Sequence, residues 1–325
     1  MEVKARRVRH QGATGLLLAA VTAGALLSGC TGGDSDDDGR GESEGRRDDQ
    51  VSTAPVGSIL AVKIDNVRAA RPQTGLDAAD IVYAEQVEGG LSRLMAVYAT
   101  KFPETVGPVR SARESDLELL RQFDEPTLAF SGAQSKLLPL IDKAPLRAET
   151  PGDTADAFYR GTDKPAPHNL YLRPGKLIDS PPGDDALTTG FQYGPAPTGG
   201  TPEDSRTIRY PAARFTFTWS DDRQRWLVSM DGTETVLTDG NRVAPATVVV
   251  QHVTVRESQF KDFRGNNTPY TETVGSGRAE VLRDGRTFDG NWERKTDTDG
   301  TSFTTTDGKP MNFAEGQVWV VFTKA

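Results

Sequence analysis

Between residues 58 and 141 short apolar runs are separated by turn-forming clusters. Ser58-Ile-Leu-Ala-Val-Lys-Ile64 has almost no polar alternation and stops at Asp65-Asn66, the pattern of a strand covered on both faces. Ile81-Val-Tyr-Ala84 follows, trailed by Glu85, Glu88 and Gly89-Gly90, and then Leu94 to Thr100, which closes at Pro103. These runs predict a small mixed sheet. Leu117, Leu120 and Phe123 recur at helical spacing, and Ser111 with Glu114 three residues later forms a capping box, so a helix is expected to start at Ser111. Leu128-Ala-Phe130 reads as another strand, followed by a short helix through Leu137 and Ile141. From Arg206 onward the pattern changes to alternating β-branched and aromatic runs: Arg214 to Trp219, Thr247 to Val255 and Gln317 to Phe322. Asp-Gly pairs at Asp231, Asp239, Asp284, Asp289, Asp299 and Asp307 are hairpin-turn signals. The expected fold class is α+β: a mixed α/β domain over about 56–200, then a mainly antiparallel β domain over about 201–325.

The ends of the pattern change the picture. Lys4, Arg6, Arg7 and Arg9 precede an apolar stretch from Ala13 to Leu27, which at fifteen residues falls short of the roughly 20 a membrane-spanning helix needs. Residues 1–29 therefore read as a signal peptide. The segment ends Leu27-Ser28-Gly29-Cys30, a bacterial lipobox, and Cys30 is the single cysteine of the 325-residue chain. The expectation is an acylated Cys30, carrying diacylglycerol and a palmitate-type chain that anchor the protein to the extracytoplasmic face of a cell membrane. Residues 31–50 hold eight acids, three arginines and no aliphatic or aromatic residue, so 30–55 is expected to be a lipidated cysteine followed by a disordered acidic tether. Asp34, Asp36, Asp38 and Gly39 mimic the opening of a calcium loop, but the twelfth position is Gly45 and no helical pattern flanks it. One cysteine excludes a disulfide framework, and three histidines give no zinc cluster. Loss of residues 1–29 removes four basic groups and one acid, taking the net charge from −8 to about −11. Nucleic acid is not an expected partner.

Candidate chemistry centres on Val106-Gly-Pro-Val-Arg110-Ser111-Ala-Arg113-Glu114. Cations at a helix start oppose its dipole unless an anion compensates. Two readings follow: Arg110 and Arg113 form an anion pocket, or they pair with Asp65, Asp80 or Glu85 for structural reasons. His168, in Pro165-Ala-Pro-His168-Asn169, is the only histidine of the first unit; it is either a general acid or base or a loop residue bonded to backbone. Trp219, Trp226 and Trp292 are either core or a carbohydrate-binding platform, and His252 reads as structural. There is no nucleophile elbow, phosphate loop or metal-ligand histidine pair.

Ile64-Asp65-Asn66, Ala70 to Leu76, Ala79-Asp80-Ile-Val-Tyr83, Val87-Glu88-Gly-Gly90, Gly107 to Arg113 and Pro167 to Tyr171 together resemble the YerB-like bacterial lipoproteins. Val274-Gly-Ser-Gly277, Arg283-Asp-Gly285, Trp292-Glu-Arg294 and Gly316 to Trp319 extend the resemblance through residue 325. Where that family has glutamate after the second-strand tyrosine, this chain has Ala84, with Glu85 one place later. The resemblance implies a two-domain envelope lipoprotein and supplies no reaction. Two functions remain. One is a module without catalysis or cofactor that binds an anionic envelope ligand, the cell wall or a partner protein. Its candidate contacts are Arg93, Arg110 and Arg113, with Asp65, Asp80 and Glu88 as the acids and His168 and Asn169 as the loop. The other is a phosphotransferase or hydrolase of a glycopolymer or lipid pyrophosphate. The order Asp65, Asp80, Arg93, Arg110, Arg113 is similar to that of the LytR-CpsA-Psr ligases, which implies Mg2+ on the acids and pyrophosphate on the arginines.

Overall fold

The computed structural model describes residues 57–262 and 265–325. The leader, Cys30 and the acidic segment lie outside the described residues. In chain order the first half contributes β1 (Leu60–Asp65), β2 (Ile81–Gln86), β3 (Ser92–Tyr98), α1 (Glu114–Leu120), β4 (Thr127–Ala129), α2 (Leu138–Ile141), β5 (Arg147–Glu149), β6 (Phe158–Arg160) and β7 (Leu170–Leu172). The second half contributes β8 (Thr201–Pro202), β9 (Ser205–Tyr210), β10 (Ala213–Ser220), β11 (Arg225–Met230), β12 (Thr233–Glu234), β13 (Thr247–Val253), β14 (Val255–Lys261), β15 (Asn267–Thr271), β16 (Gly275–Arg283), β17 (Arg286–Arg294), β18 (Ser302–Thr305) and β19 (Val318–Lys324).

One large sheet runs through both halves in the order β18-β17-β16-β13-β19-β2-β3-β1-β4-β5, with β8 added to β17. The join is parallel: β19 lies between β13 and β2, with Val249 and Tyr83 both in register with Val320. Side chains on successive residues point to opposite faces, and both faces are buried. Val62, Val82, Ala96, Val248, Trp319 and Val321 face one core, which the four-stranded sheet β12-β11-β10-β9 covers with Phe215, Phe217 and Trp226. Ala61, Tyr83, Met95, Val249, Val320 and Phe322 face the other, against Leu119, Leu120, Phe123 and Ile141. This is why the runs lack alternation.

The α+β expectation is corrected to a mainly β fold. The helical spacing from Leu117 to Phe123 yields only the seven residues of α1, and α2 has four. The helix also starts at Glu114 rather than Ser111: Arg113 is the N-cap residue, and the Asp116 carboxylate accepts its backbone N–H at 2.7 Å. Glu114 is instead turned to Ser258 Oγ on β14.

Of the six Asp-Gly pairs, Asp231-Gly232 and Asp284-Gly285 make tight turns with positive φ at both residues, 55° and 84° in one, 52° and 67° in the other. Asp289-Gly290 is no turn. It sits inside β17, where Gly290 pairs with Thr305 and a side chain would collide with the Thr304 carbonyl. The tryptophans are core: Trp226 and Trp319 are buried in one face's core and Trp292 in the other's, and Trp219 packs against the first at a ring distance of 5.3 Å from Trp226. No carbohydrate platform forms from Trp219, Trp226 and Trp292.

Candidate functional site

Strand register draws the site together. β1, β3 and β2 are adjacent antiparallel strands, and their pairing puts Asp65, Arg93 and Glu85 in one row across the sheet. Directly paired residues share a face, so this row projects toward α1. The segment after β3 then lies along the end of β1: Asp65 N–H donates to Pro108 O and Arg110 N–H to Lys63 O, both at 2.8 Å. That segment in turn binds the strand after the proline loop, through Val106 opposite Leu172 and Val109 N–H to Leu170 O at 2.6 Å. Arg110 and His168, 58 positions apart in sequence, thereby meet at the same carboxylate.

That carboxylate is Asp65, fully buried. Its Oδ2 is 2.8 Å from His168 Nδ1 and 3.3 Å from Arg110 Nε, and its Oδ1 is 3.4 Å from Arg93 Nη1. Arg93 is itself nearly enclosed, with 7% of its side chain exposed, and its Nε has no partner. Burial and the Arg113 and Arg110 charges pull the Arg93 guanidinium below its ordinary pKa, while Asp65 opposes them. One negative charge thus faces two guanidiniums and an imidazole. Arg113 is differently engaged: its Nε and Nη2 bind both oxygens of Glu88 at 2.7 and 2.8 Å, and Thr268 Oγ1 donates to the same carboxylate at 2.7 Å. Burial works against ionising Glu88, but these bonds and the Arg113 charge outweigh it and hold the carboxyl below its usual range.

Arg93, Arg110, Arg113, Glu88 and His168 line one cleft of about 840 Å3, the size of a small-molecule site. Its far wall comes from the β14–β15 hairpin of the second half, with Phe260, Lys261 and Thr268. The hairpin is held by carboxylates of the first half, one just after β2 and two on α1: Glu88 through Thr268, Glu114 through Ser258, and Glu118 through Tyr270 at 2.7 Å.

Two of the candidates lie elsewhere. Asp80 binds the Ala99 and Thr100 amides at 2.6 and 3.0 Å, at the end of β3 opposite to Arg93. At ~3.3 Å per residue this is roughly 15–20 Å from Asp65, because β1 and β2 both flank β3 but the two acids sit at its opposite ends. Asn169 is buried and ties its own loop, donating to Gly161 O at 2.7 Å and accepting from Arg160 at 2.8 Å. Among the described residues no group of three His, Cys, Asp or Glu is placed to hold a metal ion. His252 lies 3.1 Å from Glu280 in a separate ionic group with Arg206 and Arg278; burial and those arginines lower its pKa.

Beneath the cleft floor sits a cluster that the sequence reading missed. Lys63 is fully buried and binds Glu85, and Asp116 at 2.6 Å; Ser115 Oγ also donates to Glu85 at 2.9 Å. Burial alone would lower the Lys63 pKa, but Asp116 and Glu85 raise it past its ordinary value. Burial pushes Asp116 up to about 6, Glu85 adds to the rise and Lys63 restrains it. The signal was present: a lysine in the middle of an otherwise apolar run needs buried acids nearby.

The chain thus joins a strand row ending in a buried acid, two flanking arginines and a hairpin-walled cleft in one mainly β fold. It is a member of the family described as protein of unknown function (DUF3048), whose N-terminal domain matches residues 45–186 and whose C-terminal domain matches 206–320. The chain is 24% identical over 283 residues to "Putative lipoprotein YerB" of Bacillus subtilis, covering 80% of each. Its fold is similar to the crystal structure of the YerB protein from Bacillus subtilis, with a TM-score of 0.67 at 21% identity, over 82% of this chain and 91% of that one.

Proposed function

We propose that the protein is an envelope lipoprotein, anchored through Cys30 on the extracytoplasmic face of the membrane, whose cleft binds an anionic ligand without catalysing a reaction. The lipobox and the lipoprotein name of its relative support the anchor. No helix among the described residues is long and apolar enough to cross a membrane. The observation that carries the ligand reading is the charge imbalance at Asp65: one buried carboxylate is shared by Arg93, Arg110 and His168, all three of which line the cleft. An incoming anion would balance the excess cationic charge gathered around that carboxylate. Arg113 contributes to the wall, since Glu88 neutralises it. The phosphotransferase reading with Mg2+ is not carried forward, because its two acids, Asp65 and Asp80, do not share a site.

Thermal melts with phosphate or sulfate test the reading. A ligand at ten times its Kd stabilises by about 1.4 kcal/mol. Arg110→Ala should abolish that shift. Arg113→Ala should instead destabilise the protein by about 3 kcal/mol or more, because it strands Glu88 in a largely enclosed position. A parent protein whose melting is indifferent to these anions up to high concentration would end the proposal.

A further inference from the structure

The cleft is not polar throughout. Leu137 and Phe260, both buried, stand in its walls with Val67, Pro167 and Leu91. Leu91 is one of few large hydrophobic side chains left open to solvent among the described residues, and two others, Leu138 and Leu140, belong to α2, directly after Leu137. Apolar surface thus extends from the arginine floor to the rim. A small inorganic anion would leave that surface wet, and a purely apolar ligand would strip water from the part-exposed Arg110 guanidinium without replacing it.

We infer that the cleft takes a single-chain amphiphile with a phosphate monoester head, the head on Arg93 and Arg110 and the hydrocarbon along Leu137, Phe260 and Leu91. This rests on the anion-binding reading above and adds to it the class of ligand. Phosphate fits better than carboxylate by donor count. Asp65 is approached by Arg93 Nη1, Arg110 Nε and His168 Nδ1, so the two Arg110 Nη groups and His168 Nε2, on side chains 25% and 20% exposed in the cleft, remain to face a ligand. They can serve three oxygens, whereas a carboxylate has two. Around Asp65 itself two arginines face one carboxylate, which disfavours a cationic head at that end of the cleft.

Isothermal titration of the purified protein with inorganic phosphate and with butyl, hexyl and octyl phosphate tests this, with octanoate and octyltrimethylammonium as controls. Affinity should rise with chain length by about two- to fourfold per methylene. Arg110→Ala should weaken every phosphate ligand by about 10- to 100-fold. Leu91→Ser, at a position 37% exposed, should flatten the chain-length slope, weakening octyl phosphate far more than inorganic phosphate. Phosphate binding with no chain dependence would overturn the amphiphile while leaving the anion reading intact. Absence of binding by any phosphate would overturn both. Octanoate binding as tightly as octyl phosphate would overturn the phosphate head, and equal binding of octyltrimethylammonium would overturn the role of the arginines.

Discussion

Replacing Lys63 with methionine shortens the unbranched side chain by one atom and removes the one cation inside the buried cluster. Lys63 has no exposed side-chain surface, and Asp116 and Glu85 have 1% and 9%. The variant therefore leaves two carboxylates side by side out of water. Breaking one partner from such a group costs roughly 3–5 kcal/mol, which for a domain of this size lowers Tm by roughly 6–20 °C. The loss should depend on pH, and its sign is fixed. An acid whose pKa is raised on folding binds more protons in the folded state, so stability falls as pH rises from the unfolded pKa to the folded one, and is level above it. In the parent, Asp116 makes this window run from its ordinary 3.8 to about 6, a decline of about 3 kcal/mol. Without Lys63 the Asp116 carboxyl loses the charge that restrains its rise, so the variant's window widens upward and its deficit against the parent should be largest above pH 7 and small near pH 5. Urea unfolding of both proteins at pH 5, 6 and 7.5 measures this. A deficit under about 1 kcal/mol at pH 7.5, or one that does not shrink toward pH 5, would refute the reasoning.

Two further outcomes are expected. Because β19 pairs with β2 and β13 at once, residues 57–325 should melt as one calorimetric transition; two resolved transitions separable by truncation near residue 200 would contradict the shared sheet. Cys30→Ala should move the protein from the membrane fraction to the medium or leave an unprocessed precursor, and unchanged fractionation would remove the anchor from the proposed function.

Local pattern was enough for what is local. The runs at Ser58–Ile64, Ile81–Ala84, Leu94–Thr100, Arg214–Trp219 and Gln317–Phe322 each became a strand within a few residues of the expected bounds. Arg110, Arg113, Glu88 and His168 were also visible, because charged residues stood at strand ends and a helix start. What lay beyond reach was distance. Nothing near Asp80 distinguishes an amide-capping acid from a ligand-binding one; only the antiparallel run of β3 decides that it faces away from Asp65. Likewise the β14–β15 wall comes from about 150 positions further along than Glu114, which helps to hold it. The capping box at Ser111 failed because Asp116 competes for the same role and its carboxylate reaches the Arg113 amide.

The placement of β19 has a consequence for how the protein is made. A strand spanning Val318–Lys324 sits in the middle of the large sheet, yet it is the last of the nineteen to leave the ribosome. Until then β2 and β13 each present a bare, apolar edge, separated by the gap that β19 will fill. Such edges invite pairing with other chains, and contacts between residues more than 230 positions apart form slowly. From the completion of β13 until β19 emerges, the nascent protein therefore carries both edges open. Damage to those seven residues would leave two half-sheets that cannot close on each other, a far heavier loss than removing an equal length from the outer strands β5 or β18.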